Sequence, residues 1–245
     1  MTATLAAASR RLPRGWAHLG LQFGLWIGFY FAYQAARGLA DRGGDATAFA
    51  NGEWIIDFQR RLGAMFELTL QRAVDSSGFL IQATSITYWL SQFAVVGFAL
   101  IWVYFRAHER FFAFRNTLIG GNLIGLAFYV LVPTAPPRMF PGAGFTDTLA
   151  AHSTVNHSST FIAFAANPYA AMPSLHALDS AVVSVVMATV VRSRWAKILW
   201  LMWAPWVWFA VMATGNHFWL DIAVGVLIAA AVAAVVYRPW RRHPA

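Results

Sequence analysis

The chain contains no cysteine, which excludes disulfides, thiolate metal ligands and a cysteine nucleophile. Charge is also scarce. Asp, Glu, Lys and Arg supply 11% of the residues, against roughly 25% in an average soluble domain. What charge there is leans to one sign, with 18 Lys and Arg against 10 Asp and Glu. In a soluble protein that balance would point to nucleic acid. Here the basic residues flank apolar runs, where they set membrane orientation, so no nucleic-acid partner is expected. No internal repeat is visible. With 59% hydrophobic residues in long uncharged runs, the composition is that of an integral membrane protein.

Windows of about 20 apolar residues predict six spans, at Leu19–Ala36, Ile86–Phe105, Leu118–Val132, Pro173–Val191, Ile198–Ala213 and His217–Tyr237. Pro205 should kink the fifth. The expected fold class is all-α, a polytopic bundle of six transmembrane helices. Residues 1–17 form a cytoplasmic tail, and residues 18–245 form a single membrane domain. The first apolar run is longer than a signal-peptide core, so it reads as a span and not as a leader cleaved near Gly38-Leu39-Ala40.

The basic residues alternate between loops. Arg10, Arg11 and Arg14 precede the first span, Arg106, Arg110 and Arg115 follow the second, Arg192, Arg194 and Lys197 follow the fourth, and Arg238, Arg241 and Arg242 follow the sixth. The remaining connections are the nearly balanced Arg37–Asp75 and a loop, Pro133–Met172, whose charges are Arg138 and Asp147. The positive-inside rule then puts both termini in the cytoplasm, and the plasma membrane is the expected location. Between the first two spans, Asn51–Arg72 carries Ile55, Phe58, Leu62, Met65 and Phe66 at helical spacing. This predicts an amphipathic helix lying at the membrane interface, read as a connector packed on the bundle in preference to a substrate gate.

This topology gathers three distant segments at the outer face. PTAPPR places Arg138 beyond the third span, PSLH places His176 in the first turn of the fourth, and GNHFWLD places His217 and Asp221 in the first turns of the sixth. His217 and Asp221 are four apart, so on a helix they share a face, and a carboxylate there can fix the imidazole tautomer. His176 and Asp179 are three apart and can pair similarly, although a structural role for Asp179 is favoured. Pro173 suits a first helical turn. The N–H groups there, with the Ser174 hydroxyl, form an anion site, and Arg138 adds a planar donor fork suited to phosphate. Asn216 and Thr214 either line the site or cap the helix start. His152 and His157 of the outer loop read as solvated, and the Asn156-His157-Ser158 sequon carries no weight by itself. Phe218, Trp219 and Tyr169 suit either a lipid acceptor or ordinary interfacial positions.

Together these are parts for phosphoryl transfer without a metal or cofactor. His217 attacks phosphorus, His176 protonates the leaving oxygen, and Arg138 with the helix start stabilises the non-bridging oxygens. A divalent-metal site built from HxxD and HxxxD is the rival, and the adjacent arginine opposes it.

PSLH followed by HxxxD resembles the type 2 phosphatidic acid phosphatase superfamily, whose usual pattern is K-x6-RP, PSGH and SR-x5-HxxxD. Arg138 matches the first motif, Pro173, Ser174 and His176 the second, and His217 and Asp221 the third. Leu131 stands at the lysine position, Leu175 at the glycine, and Ala210-Val211 at the SR pair. Those departures, with the phrases PTAPPR, NPYAAMPSLH and TGNHFWLDIAVG, resemble the inositol phosphorylceramide synthase (inositolphosphotransferase-like) branch over residues 133–225. The resemblance implies a six-helix core and a phosphohistidine intermediate, with His217 as nucleophile, Asp221 orienting it and His176 as acid. It also implies a lipid-linked phosphate substrate. A phosphodiester carries one charge and a monoester close to two, so a site with one arginine suits a diester donor and head-group transfer between lipids. The alternatives are a lipid-phosphate monoester phosphatase of the same superfamily and a non-enzymatic transporter or scaffold that retains the fold.

Overall fold

The computed structural model describes residues 13–39, 45–152 and 168–238. Residues 156, 157 and 167, Ala40 and the basic residues 10, 11, 241 and 242 therefore lie outside the described residues, as does the side chain of His152. The described chain is helical, apart from one isolated parallel bridge, Thr134 to Ala170. Its helices are α1 (Gly15–Leu39), α2 (Asp45–Arg61), α3 (Glu67–Asp75), α4 (Gly78–Arg106), α5 (His108–Leu131), α6 (Thr148–His152), α7 (Leu175–Val190), α8 (Arg194–Ala213) and α9 (Trp219–Val236).

Four of these, α4, α5, α8 and α9, are long and apolar enough to cross a membrane. They run past the apolar windows at one end or stop just inside them, because helix hydrogen bonding does not require apolar side chains. α4 begins at Gly78, where the Ser77 hydroxyl caps it by accepting from the Leu80 N–H, and α5 takes in the charged stretch from His108 to Arg115. α1 has 25 residues. α7 has 16, about 24 Å at the usual helical rise, which is short against a hydrocarbon core of roughly 30 Å. It is the central helix of the bundle, buried along most of its length and packed on α4, α5, α8 and α9. α8 runs through Pro205. The N–H of the preceding residue, Ala204, donates to Ser184 Oγ of α7 at 3.0 Å, which ties the two helices together there.

The expected single helix over Asn51–Arg72 is broken. α2 ends at Arg61, Gly63 adopts φ +63°, and α3 begins at Glu67. The predicted apolar stripe is only partly inward. Ile55 is buried, but Leu62 and Phe66 are 57% and 44% exposed, while the polar Gln59, Glu67 and Gln71 are buried. Ile55 and Ile56 pack with Phe140, Phe145 and Phe218, so this segment covers the loops that carry the candidate site.

Candidate active site

Backbone hydrogen bonds tie the three motif segments together. The loop after α5 pairs with the strand-like approach to α7, as Thr134 N–H donates to Tyr169 O at 2.8 Å and Ala171 N–H to Thr134 O at 3.2 Å. Arg138 N–H donates to Gly215 O at 2.8 Å, and Ser174 N–H to Asp221 O at 2.9 Å. Two glycines permit this closeness. Gly215 has φ +71°, and a Cβ there would stand 2.8 Å from Thr146 O. Gly225 lets α9 approach the start of α7 so closely that a Cβ would collide with the Ser174 carbonyl.

The result is a polar pocket bordered by Arg138, His176, His217, Asn216, Tyr88 and Gln92, among others. The His176 and His217 rings lie 5.7 Å apart, and Tyr88 stacks on His176 at 4.6 Å. Arg138 donates to Asn216 Oδ1 at 2.7 Å and lies 3.5 Å from Asp147. Asn216 is in turn held by Thr214 Oγ1 at 2.8 Å.

His217 does not sit on the helix. It precedes Phe218, the N-cap of α9, and Asp221 is the third residue inside. The imidazole Nδ1 lies 2.9 Å from the Ala171 carbonyl and 3.6 Å from Asp221 Oδ2. That carboxylate oxygen accepts the Phe218 N–H at 2.8 Å. The carbonyl contact requires a proton on Nδ1, so a carbonyl and a carboxylate together favour the tautomer that sequence spacing assigned to the carboxylate alone.

Ser174 is placed differently from the expectation. It is the N-cap of α7, fully buried, and its hydroxyl accepts the Ala177 N–H at 3.2 Å, so helix capping occupies it and it does not border the pocket. Pro173 lies before the cap, outside the first helical turn, with its carbonyl accepting from Tyr129 OH at 3.1 Å. Asp179 accepts from Asn122 Nδ2 of α5 at 2.7 Å and from Gln92 of α4. Phe218 is buried against Phe145 and faces no lipid.

Several residues without a motif complete the site. Tyr88 and Gln92 reach it from α4, whose Ser91–Val95 turn is π-helical; such turns frequently re-aim side chains at functional sites. Behind it, Glu67 accepts the Trp219 N–H and is itself held by Gln59, while Gln71 donates to Thr146 O; none of the three borders the pocket. Burial pushes the Glu67 carboxyl above the usual carboxylate range, and nearby Asp221 adds to this, against hydrogen bonds from Trp219 N–H and Gln59. The available signal was polar residues on the inward side of a segment that stands among apolar neighbours.

A helical bundle that brings two histidines and an arginine to one pocket, with a helix-start carboxylate buried behind one histidine, defines a class, and the comparisons give the family. The profile of the PAP2 superfamily matches residues 53–235, and the chain belongs to that superfamily. It is similar to the phosphoinositol dihydroceramide synthase of Bacteroides thetaiotaomicron, 28% identical over 138 residues, which cover 51% of this chain and 45% of that protein. The chain thus matches about half the length of that relative. Among solved structures it shares the fold of Aquifex aeolicus LpxE, with a TM-score of 0.51 at 15% identity over 70% of this chain and 94% of that one.

Proposed function

We propose that this protein is a membrane phosphotransferase that moves a phospho-head group from a phosphodiester lipid to a lipid alcohol through a phosphohistidine. The observation that carries this reading is the convergence of His217, His176 and Arg138 on one pocket, with Asp221 3.6 Å from His217. With the proton on Nδ1, the His217 Nε2 lone pair attacks phosphorus. The N–P bond forms as the P–O bond to the leaving alkoxide breaks, and His176 gives that oxygen its proton. The acceptor hydroxyl then returns a proton to His176 and attacks phosphorus, releasing His217. Arg138 balances charge on the non-bridging oxygens, while Asn216 and Asp147 hold its guanidinium.

The charge of the site favours a diester. Among the described residues Arg138 is the only Lys or Arg bordering the pocket, and Asp147 already offsets part of its charge. The relative's printed name supplies the first probes, a phosphoinositol donor and a ceramide-type acceptor.

We place the pocket at the outer face of a six-span, single-domain bundle with both termini cytoplasmic, α2 and α3 lying along the interface. In support, the basic turns Arg106–Arg110 and Arg192–Lys197 lie at the helix ends remote from His176 and Arg138.

The test uses purified full-length protein in EDTA with labelled phosphatidylinositol and phosphatidic acid, each with and without ceramide. Head-group transfer from the diester, lost in His217→Ala, is the expected result. Phosphate release from phosphatidic acid alone would make the protein a phosphatase. Activity that requires a divalent ion would replace the histidine mechanism with a metal one, and inactivity throughout would favour a scaffold.

A further inference from the structure

Glu67 opens α3, in a segment that sequence pattern marks only as a connector. It is fully buried, and carboxylates are rarely so without specific partners. Its Oε1 accepts the backbone N–H of Trp219 at 2.9 Å and Gln59 Nε2 at 2.6 Å. Asp221 acts on the neighbouring residue, its Oδ2 accepting the Phe218 N–H at 2.8 Å. The second oxygen of each carboxyl, Oε2 and Oδ1, has no hydrogen-bond partner among the described residues.

The first N–H groups of a helix have no partner within it, and the N-cap here is Phe218, whose side chain carries no acceptor. Acceptors must come from elsewhere. Asp221 supplies one from inside α9 and Glu67 supplies the next from a different element. Residue 217 immediately precedes the two N–H groups so held. The Trp219 indole is anchored to the same outer segment, donating to Ala64 O at 2.9 Å.

We propose that Glu67 is a positioning residue for His217: by holding the Trp219 N–H from a separate element, it fixes the turn that carries the nucleophile. The proposal rests on the reading of His217 as nucleophile. It gives the outer segment a role in catalysis without contact with substrate. One acceptor oxygen makes both contacts, since Oε1 takes the Trp219 and Gln59 N–H groups while Oε2 has no hydrogen-bond partner among the described residues. Glutamine therefore substitutes for it, while aspartate, one methylene shorter, withdraws the oxygen.

The experiment compares Glu67→Gln, Glu67→Asp and Glu67→Ala in the full-length protein, using labelled phosphatidylinositol and ceramide, with His217→Ala alongside. Displacing a reactive group by about 1 Å can cost about 100-fold. Glu67→Ala and Glu67→Asp are expected to lose kcat on that scale with KM within about twofold, while Glu67→Gln stays within about threefold of the parent. Should Glu67→Ala fail to elute as a monodisperse protein, the Asp–Gln contrast decides. Three equally active variants, or a folded Glu67→Gln as impaired as Glu67→Asp, would overturn the positioning role. So would a loss confined to KM. Persistent activity in His217→Ala would instead overturn the nucleophile assignment, so the two failures are separable.

Discussion

Two pairs of histidines stand at opposite ends of this bundle. His176 and His217 have ring centroids 5.7 Å apart, and His18 and His108 have theirs 5.8 Å apart. Each pair has a tyrosine against it: Tyr88 stacks on His176, and Tyr104 OH lies 2.9 Å from His18 Nδ1. Each has arginine nearby. Their surroundings differ in kind. His217 faces a carbonyl and a buried carboxylate and borders a polar pocket shared with Arg138. His18 and His108 pack edge-on against Phe112, over which Arg14 and Arg115 lie, and the adjoining cavity is lined largely by residues such as Leu19, Trp26 and Leu100. A histidine pair with tyrosine and arginine is thus common to both ends and does not separate them. Both pairs have a carbonyl at an imidazole nitrogen, since His108 Nδ1 lies 3.2 Å from Tyr104 O; the buried carboxylate and the polar pocket make the difference.

The comparison is open to attack at several strengths, all readable in the labelled-lipid transfer assay. His217→Ala removes the proposed nucleophile and is expected to lower kcat by about 1000-fold or more. Asp221→Asn keeps an acceptor for the Phe218 N–H but removes the carboxyl group proposed to support the His217 imidazole during transfer, and is expected to cost about 100-fold in kcat. Gly215→Ala forces a side chain into a left-handed position against Thr146 O and the Arg138 Cβ. Displacing that loop should cost about tenfold, as a gentler case of misplacing a reactive group. The double variant His18→Phe, His108→Phe should change turnover by less than about twofold, as for substitutions remote from the site. Equal losses at the two ends would remove the distinction between the pairs.

Much of this was legible in the chain. PSLH and HxxxD name their histidines, and the loop charges place them with Arg138 at one end. The roles of Ser174 and Asp221 were harder to read. Ser174 reads as a phosphate ligand until its hydroxyl is seen capping α7, and Asp221 reads as the sole partner of His217 until the Ala171 carbonyl is found nearer. The outer segment was read by apolar periodicity, which follows Leu62 and Phe66. Both point outward, because Gly63 breaks the helix between the part that buries Ile55 and the part that buries Glu67.

By itself, the sequence determined what depends on composition and local order: a membrane bundle, the helices that build it, the motif residues, and a site poor in cations. Tertiary structure decided which atoms serve which partner. Glu67 and Trp219 are 152 positions apart, as far out of reach of a local pattern as Arg138 and Asn216, 78 apart. Hydrogen bonds depend on distances of a few tenths of an ångström, and such distances arise only when Gly215 and Gly225 let the loops and helices close upon one another.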